Sequence, residues 1–209
     1  MKTISVKELQ ERILRVSDIV IAAEEELTEV DRVIGDGDHG VSMKIAFTKV
    51  KEKIGSKEYA DCADLFEDVG LEIMKSTGGS SGLFFGLLFM EGKDLLKGKT
   101  EIDSKDLYTF FEAGIRKIVG IGHGKPGDKT MLDPLYEVLD SLKKSPNEDI
   151  ESTLDEAYCA ALHGVEETKK MISMQGRSKG FRDMTKDYPD PGAITISLIF
   201  KGLTKLKGE

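Results

Sequence analysis

Several things are scarce in this 209-residue chain, and each shortage removes a class of function. Cysteine occurs only at Cys62 and Cys159, in no CxxC pair and at no metal-type spacing. A disulfide framework and a thiolate metal site are excluded, and the reading is of reduced, buried thiols in a cytoplasmic protein. Basic excess is missing: 30 Lys and Arg face 38 Asp and Glu, a formal net charge of −8. That balance excludes nucleic acid as the main partner, because a phosphate backbone demands a basic patch. Long apolar runs are missing too, and the most apolar one, LFFGLLFM at Leu83–Met90, is too short to span a membrane. The opening residues, MKTISVKELQERI, lack the apolar stretch of a signal peptide. Alternating strand patterns between tight turns are absent, except for AITISLIF at Ala193–Phe200.

What remains is ordinary for a soluble globular chain, 39% hydrophobic and 33% charged residues. The length suits a single domain over residues 1–209. Helical periodicity predicts eight helices. The first spans Val6–Leu27, with Leu9, Ile13, Val16, Ile19, Val20 and Ala23 on one stripe. The others cover His39–Ile54, Lys57–Ser76, Ser80–Lys97, Asp103–Val119, Asp128–Lys144, Asp149–Gln175 and Pro191–Leu206. Ser80–Lys97 is apolar nearly all round and is predicted to be buried. The AITISLIF run has strand-like composition, but Pro191 suits a first helical turn, and a helix is predicted there.

The connections fall into two kinds. The second, fourth and sixth, IGSK, KGKTEI and KSPNED, are short and charged. The odd-numbered ones are TEVDRVIGDGDHG, STGGSSG, GIGHGKPGDKTM and MQGRSKGFRDMTKDYPDPG. In an up-and-down antiparallel array the odd-numbered loops all lie at one end, so the unusual loops meet on one rim. That alternation predicts a shared site there.

Asp31, Asp36 and Asp38 offer only oxygen ligands, which suit a hard cation, Mg²⁺ or Ca²⁺. The helix–loop–helix Ca²⁺ pattern fails, because no Glu falls at the twelfth position counted from Asp31 or Asp36. Mg²⁺ takes one or two carboxylates and completes its shell with water and phosphate, so three acids fit one or two Mg²⁺ sharing a nucleotide. The bland alternative is a hydrated acidic turn. His39 reads either as a phosphate contact or as a first helical residue. The glycine loop Ser76–Gly82 precedes a buried helix, and fits a phosphate cradle or close packing equally. Gly122–Thr130 resembles a phosphate-binding loop only superficially: Asp128 stands where Lys is required and no strand precedes it. Asp128 reads better as a helix cap. Arg177 offers a planar fork to a phosphate, and Asp190-Pro191-Gly192 opens the last helix.

In order and spacing, GDGDHG with its upstream Asp, GGSSG, PGDKTM, GR and DPG resemble the DhaL family. These are the ADP-binding subunits of dihydroxyacetone kinases, equivalent to the C-terminal domain of the single-chain kinases. The resemblance runs from about Asp31 to Gly192. It implies an all-α, eight-helix antiparallel up-and-down barrel with nucleotide, ADP or ATP, bound at one rim. It implies Asp31, Asp36 and Asp38 as ligands of two Mg²⁺ ions. His39, Ser42 and Met43 would lie near the nucleotide, with Ser80 and Ser81 at its phosphates and Gly122 and Met131 by its base, and Gly79 and Thr130 would also bind it. Arg177, the catalytic charge, and Asp190, Pro191 and Gly192 would complete the site.

The resemblance also implies partners. The ketose would sit on a DhaK-like subunit, held covalently by a histidine there, so this chain carries no nucleophile. A DhaM-like phosphocarrier of the phosphotransferase system is implied where ADP stays bound as a coenzyme. An ATP-exchanging kinase for a related ketose such as erythrulose is the alternative. So is a nucleotide-sensing subunit that docks a transcription regulator. Two departures stand out: Leu83 replaces the family's usual Pro, and Ser178–Pro189 keeps the usual length with a different sequence.

Overall fold

The computed structural model describes residues 3–144 and 149–205. Among them nine α-helices carry the chain. They are α1 (Val6–Ala22), α2 (Glu24–Ile34), α3 (His39–Gly55), α4 (Cys62–Ser76), α5 (Gly79–Met90), α6 (Ser104–Gly122), α7 (Leu132–Lys144), α8 (Ile150–Thr168) and α9 (Pro191–Leu203). The fold is all-α, as the periodicity predicts. It carries one small addition: strands β1 (Thr3–Ser5) and β2 (Glu101–Asp103) pair antiparallel, with Ile4 opposite Ile102. Three-residue strands leave no alternation long enough to read in a sequence.

The packing order is a closed ring. Helix α1 lies on α3, α3 on α4, α4 on α5, α5 on α6, α6 on α7, α7 on α8, α8 on α9, and α9 returns to α1. Helix α2 stands outside that sequence, against α3 and the connection before α9. One contiguous apolar cluster fills the interior. Phe66 meets Phe110 at a centroid distance of 4.1 Å, Phe110 meets Phe111 edge-on at 5.3 Å, and Phe111 meets Phe200 at 5.1 Å. Each such pair contributes about 1 kcal/mol beyond the area it buries.

Several predicted boundaries move, each for a local reason. The first helix is not one element. It breaks at Ala23 and resumes as α2, whose first turn carries Glu24, Glu25 and Glu26 at the positive end of the helix dipole. The segment VDRVI is therefore helical, and Asp31 lies in the last turn of α2 rather than in a loop. Helix α4 starts at Cys62, not Lys57, because Asp61 caps it by accepting from Asp64 N at 2.9 Å. Helix α5 ends at Met90, and a 3-10 turn, Lys93–Leu96, follows. Helix α6 runs past the predicted Val119 to Gly122, where His123 takes a left-handed conformation (φ 53°) and ends it. Helix α8 ends at Thr168, not Gln175. The predicted turn KSPNED falls largely outside the described residues, as does the predicted last helical residue, Leu206.

The AITISLIF run is helical. Asp190 accepts from Ala193 N at 2.8 Å, and Pro191 holds the first turn. Burial of Ala193, Ile194, Ile196, Ile199 and Phe200 outweighs the weak helix propensity of its β-branched residues. At the far end α1 caps α9: Arg12 Nη1 donates to Leu203 O at 2.7 Å and Arg15 Nε to Gly202 O at 3.0 Å. Arg12 is buried, and Glu8 (2.7 Å) and Glu151 (2.6 Å) balance its charge. Among the described residues no helix is long and apolar enough to cross a membrane.

Candidate functional site

A cavity of about 620 Å³ opens at one end of the ring, and four connections line it. Asp36 and Asp38 come from the α2–α3 loop and Gly78 to Ser81 from the start of α5. Gly122, Gly124 and Lys129 to Leu132 come from the α6–α7 segment, and Gln175 to Ser178 with Asp190 to Gly192 from the α8–α9 connection. These are the odd-numbered loops of the sequence reading. A second, more open groove of about 730 Å³ runs along α1, but its Arg12 and Arg15 are engaged in capping α9.

The acidic side is built around Asp31. Its carboxylate is buried, and Oδ2 accepts from His39 N at 3.1 Å. The loop then passes so close that a Cβ on Gly35 would sit 2.2 Å from Asp31 Oδ1. At Gly37 the backbone takes φ +76°, which a side chain resists. This turn returns the chain so that one oxygen each of Asp31, Asp36 and Asp38 lies within 4.8 Å of the others. The Asp38 carboxyl is held above its ordinary value, first by partial burial and then by the charge of Asp36. Arg177 reaches over from the α8–α9 connection, pairs with Asp36, and lies 4.0 Å from Asp38. Converging hard oxygen donors without nitrogen or sulfur fit Mg²⁺, with positions left for water and phosphate.

Facing the acids is the start of α5. Its cap residue is Gly78, no side chain caps the first N–H groups, and Gly79, Ser80 and Ser81 line the cavity. The deeper wall is apolar: Phe84, Ile118, Met131 and Leu132, with Gly122 at its edge.

His39 opens α3 with its ring buried. Nε2 lies 2.8 Å from Thr195 Oγ1 on α9, and Phe85 packs beside the ring at 6.0 Å. Burial, the largest influence, pulls its pKa down to about 4, so the ring is neutral at pH 7. Burial likewise pushes the Asp190 carboxyl up to about 7, although its bond from Ala193 N acts the other way.

The structure brings Asp31, Asp36, Asp38, His39, Ser42, Gly79, Ser80, Ser81, Gly122, Thr130, Met131, Arg177, Asp190, Pro191 and Gly192 together around one cavity. Met43 is the exception. It faces inward one turn below His39 and sits in the core with Ala46, Phe47 and Val50. Asp128 does not cap α7 either. Asp133 holds that turn instead, accepting from Gly127 N at 2.6 Å and from Thr130 N at 2.7 Å. Lys129, Gln175, Phe84 and Ile118 line the cavity without having been singled out. The apolar pair had no polar signal, and GDKTM was read as a failed phosphate-loop match and as part of a family motif, with no role given to Lys129.

Fold and cavity together define an all-helical protein with a carboxylate cluster facing an uncapped helix start. The chain matches the DAK2 domain over residues 33–205, and it belongs to that family. It is 30% identical over 191 residues to the ADP-binding subunit DhaL of the PEP-dependent dihydroxyacetone kinase of Escherichia coli (strain K12), covering 90% of this chain and 91% of that one. It is 31% identical over 196 residues to the human triokinase/FMN cyclase, covering 92% of this chain but 34% of that longer protein. The crystal structure of the C. freundii dihydroxyacetone kinase in complex with AMP-PNP and Mg²⁺ superposes with a TM-score of 0.73 at 24% identity, over 93% of this chain and 33% of that one, a likeness of fold.

Proposed function

We propose that this chain is the nucleotide-carrying subunit of a dihydroxyacetone-type kinase. It would transfer a phosphoryl group from bound nucleotide to a short ketose held on a DhaK-like partner subunit. The observation that carries this reading is the convergence of Asp31, Asp36 and Asp38 on a cavity whose opposite wall is the uncapped start of α5. One wall suits a divalent cation and the other an anion, which together describe a metal-bound polyphosphate.

In this reading Asp31, Asp36 and Asp38 hold two Mg²⁺ ions. Bound there, Mg²⁺ would neutralise the phosphate oxygens and orient them for in-line transfer. The chain's own residues do the rest. The N–H groups at Gly79, Ser80 and Ser81 take up phosphate oxygens, and the Phe84–Ile118–Met131 wall receives the base. His39, neutral and tied to Thr195, holds the start of α3 against α9. Arg177 sits at the mouth, beside the acids, where it stabilises the charge that develops on the moving phosphoryl group. Catalysis by this chain is positioning and charge neutralisation.

ADP would remain bound as a coenzyme and be rephosphorylated by a DhaM-like phosphocarrier in the cytoplasm. Relatives of matching length, from E. coli and from Listeria innocua, carry names as ADP-binding subunits of PEP-dependent kinases, which supports that branch over an ATP-exchanging one. The test is nucleotide content. Protein purified with Mg²⁺ and dialysed is denatured, the released nucleotide is identified by mass spectrometry, and the assay is repeated after soaking in labelled ATP. Retained, non-exchanging ADP supports the coenzyme. Free exchange replaces it with an ATP-dependent kinase, and absence of nucleotide in both samples contradicts the reading.

A further inference from the structure

Two consecutive residues of the α6–α7 segment break local rules. Lys129 is 1% exposed, and its backbone adopts the left-handed region at φ +62°, where glycine or asparagine is the easier residue. Its Nζ donates to Thr168 O and to Tyr188 O, both at 2.6 Å. Both acceptors are backbone carbonyls, so this ammonium is buried to hold two strands of main chain together. Asp128 is 4% exposed. Its Oδ2 accepts from Lys125 N at 3.2 Å and from Gln175 Nε2 at 3.0 Å, and its backbone O accepts from Met174 N at 3.0 Å.

The pair therefore grips the α8–α9 connection at both ends. Asp128 takes hold at Met174 and Gln175, immediately before Gly176 and Arg177. Lys129 takes hold at Tyr188, two residues before Asp190. Thr168, at the end of α8, joins the second grip: its carbonyl receives Lys129, and its Oγ1 accepts from Asp190 N at 3.0 Å. The two segments so fixed are those that reach the cavity, Gln175–Ser178 and Asp190–Gly192. A buried lysine and a strained backbone are costs that a loop needing only to cross a surface would not carry.

We propose that Asp128 and Lys129, with Thr168 as the shared anchor, are positioning residues that set Arg177 and the Asp190–Gly192 turn relative to each other across the nucleotide cavity. The proposal rests on the Mg–nucleotide reading of that cavity. Two of the three Lys129 N–H groups and Oδ2 of Asp128 are engaged in these bonds rather than facing a ligand.

The test uses the full chain and two variants, Lys129→Met, which keeps the aliphatic stem, and Thr168→Val, which is nearly isosteric and lies off the cavity wall. Two quantities are read: Mg–ADP affinity by calorimetry, and amide hydrogen exchange without nucleotide. Lys129→Met is expected to weaken Mg–ADP by about tenfold or more, the scale of lost supporting contacts in a binding site. Exchange at Asp187 and Asp190 should rise by about tenfold while amides in α4 and α6 keep wild-type rates. Thr168→Val should show the same local pattern, more weakly. A general stabilising role would instead speed exchange in α4 and α6 equally and leave affinity within about twofold of wild type, and either result in both variants overturns the proposal. Should Lys129→Met fail to fold, Thr168→Val decides by the same criteria. A wild-type chain that does not bind Mg–ADP would overturn the nucleotide reading, while the exchange pattern still decides the grip.

Discussion

Arg177 and Asp36 pair across the mouth of the cavity, joining the α8–α9 connection to the loop between α2 and α3. The guanidinium lies 4.0 Å from Asp38 as well, so it supplies positive charge to acids that otherwise repel one another. Arg177→Met should therefore act in opposite directions on two ligands. Bare Mg²⁺ should bind about two- to threefold tighter, a modest gain because the side chain is 73% exposed and screened. Mg–ADP should bind about tenfold weaker, because a charge-assisted bond to phosphate is lost. Calorimetry with each ligand checks both signs, and weakening of both would show that Arg177 supports the acids rather than competing for them.

The three acids should not respond alike to neutralisation. Asp38→Asn removes a carboxyl that burial and Asp36 hold above its ordinary value, so it should raise the metal-free melting temperature. Asp36→Asn removes the partner of Arg177 and should give no such gain. Both should abolish Mg–nucleotide binding. Melting curves in EDTA, compared with curves in Mg²⁺ and ADP, separate the two effects.

Gly35 is the tightest point of the acidic loop. A methyl group there would lie 2.2 Å from Asp31 Oδ1, so Gly35→Ala must push the Asp31 carboxylate or the loop aside. The expected cost is about 1–3 kcal/mol of stability. Metal–nucleotide affinity should fall by roughly 10- to 100-fold. Urea unfolding and calorimetry measure the two, and an unchanged affinity would remove Asp31 from the metal site.

His39 and Asp190 should give the metal-free protein opposing pH slopes. The pKa of His39 falls from 6.5 to about 4, so between those values the unfolded state binds the extra proton and stability rises with pH. The pKa of Asp190 rises from 3.8 to about 7, so over that range the folded state binds the extra proton and stability falls with pH. Each slope is about 1.4 kcal/mol per pH unit, and the two cancel between about pH 4 and 6.5. Relative to wild type, His39→Gln should lose stability as pH rises from 4 to 6.5, and Asp190→Asn should gain it from 4 to 7. Unfolding midpoints across that range test this, and parallel curves for all three proteins would contradict it.

The rim was legible because its loops differ in kind from their neighbours: acids and glycines alternate with plain charged turns, and alternation survives errors of a few residues in helix ends. The error over Asp31 shows the limit. The predicted first helix ran through Glu24, Glu25 and Glu26 to Leu27 without the break at Ala23, and residues 28–34, the rest of α2, read as loop because acids and a nearby glycine-rich turn masked their helical pattern. Met43 was carried to the site by resemblance, whereas its spacing from His39 by one full turn places it a layer deeper, in the core. Lys129 went unnoticed because its role lies in bonds to Thr168 and Tyr188, 39 and 59 residues away in the chain. No local pattern announces contacts of that range.

The most direct test of the central claim is calorimetric titration of the chain, stripped with EDTA, with ADP in the presence and absence of Mg²⁺. The account predicts one ADP per chain with Mg²⁺ and binding weaker by about a hundredfold or more without it, because Asp31, Asp36 and Asp38 then face the phosphates unscreened. Equal affinity with and without Mg²⁺, or no binding in either, would contradict it.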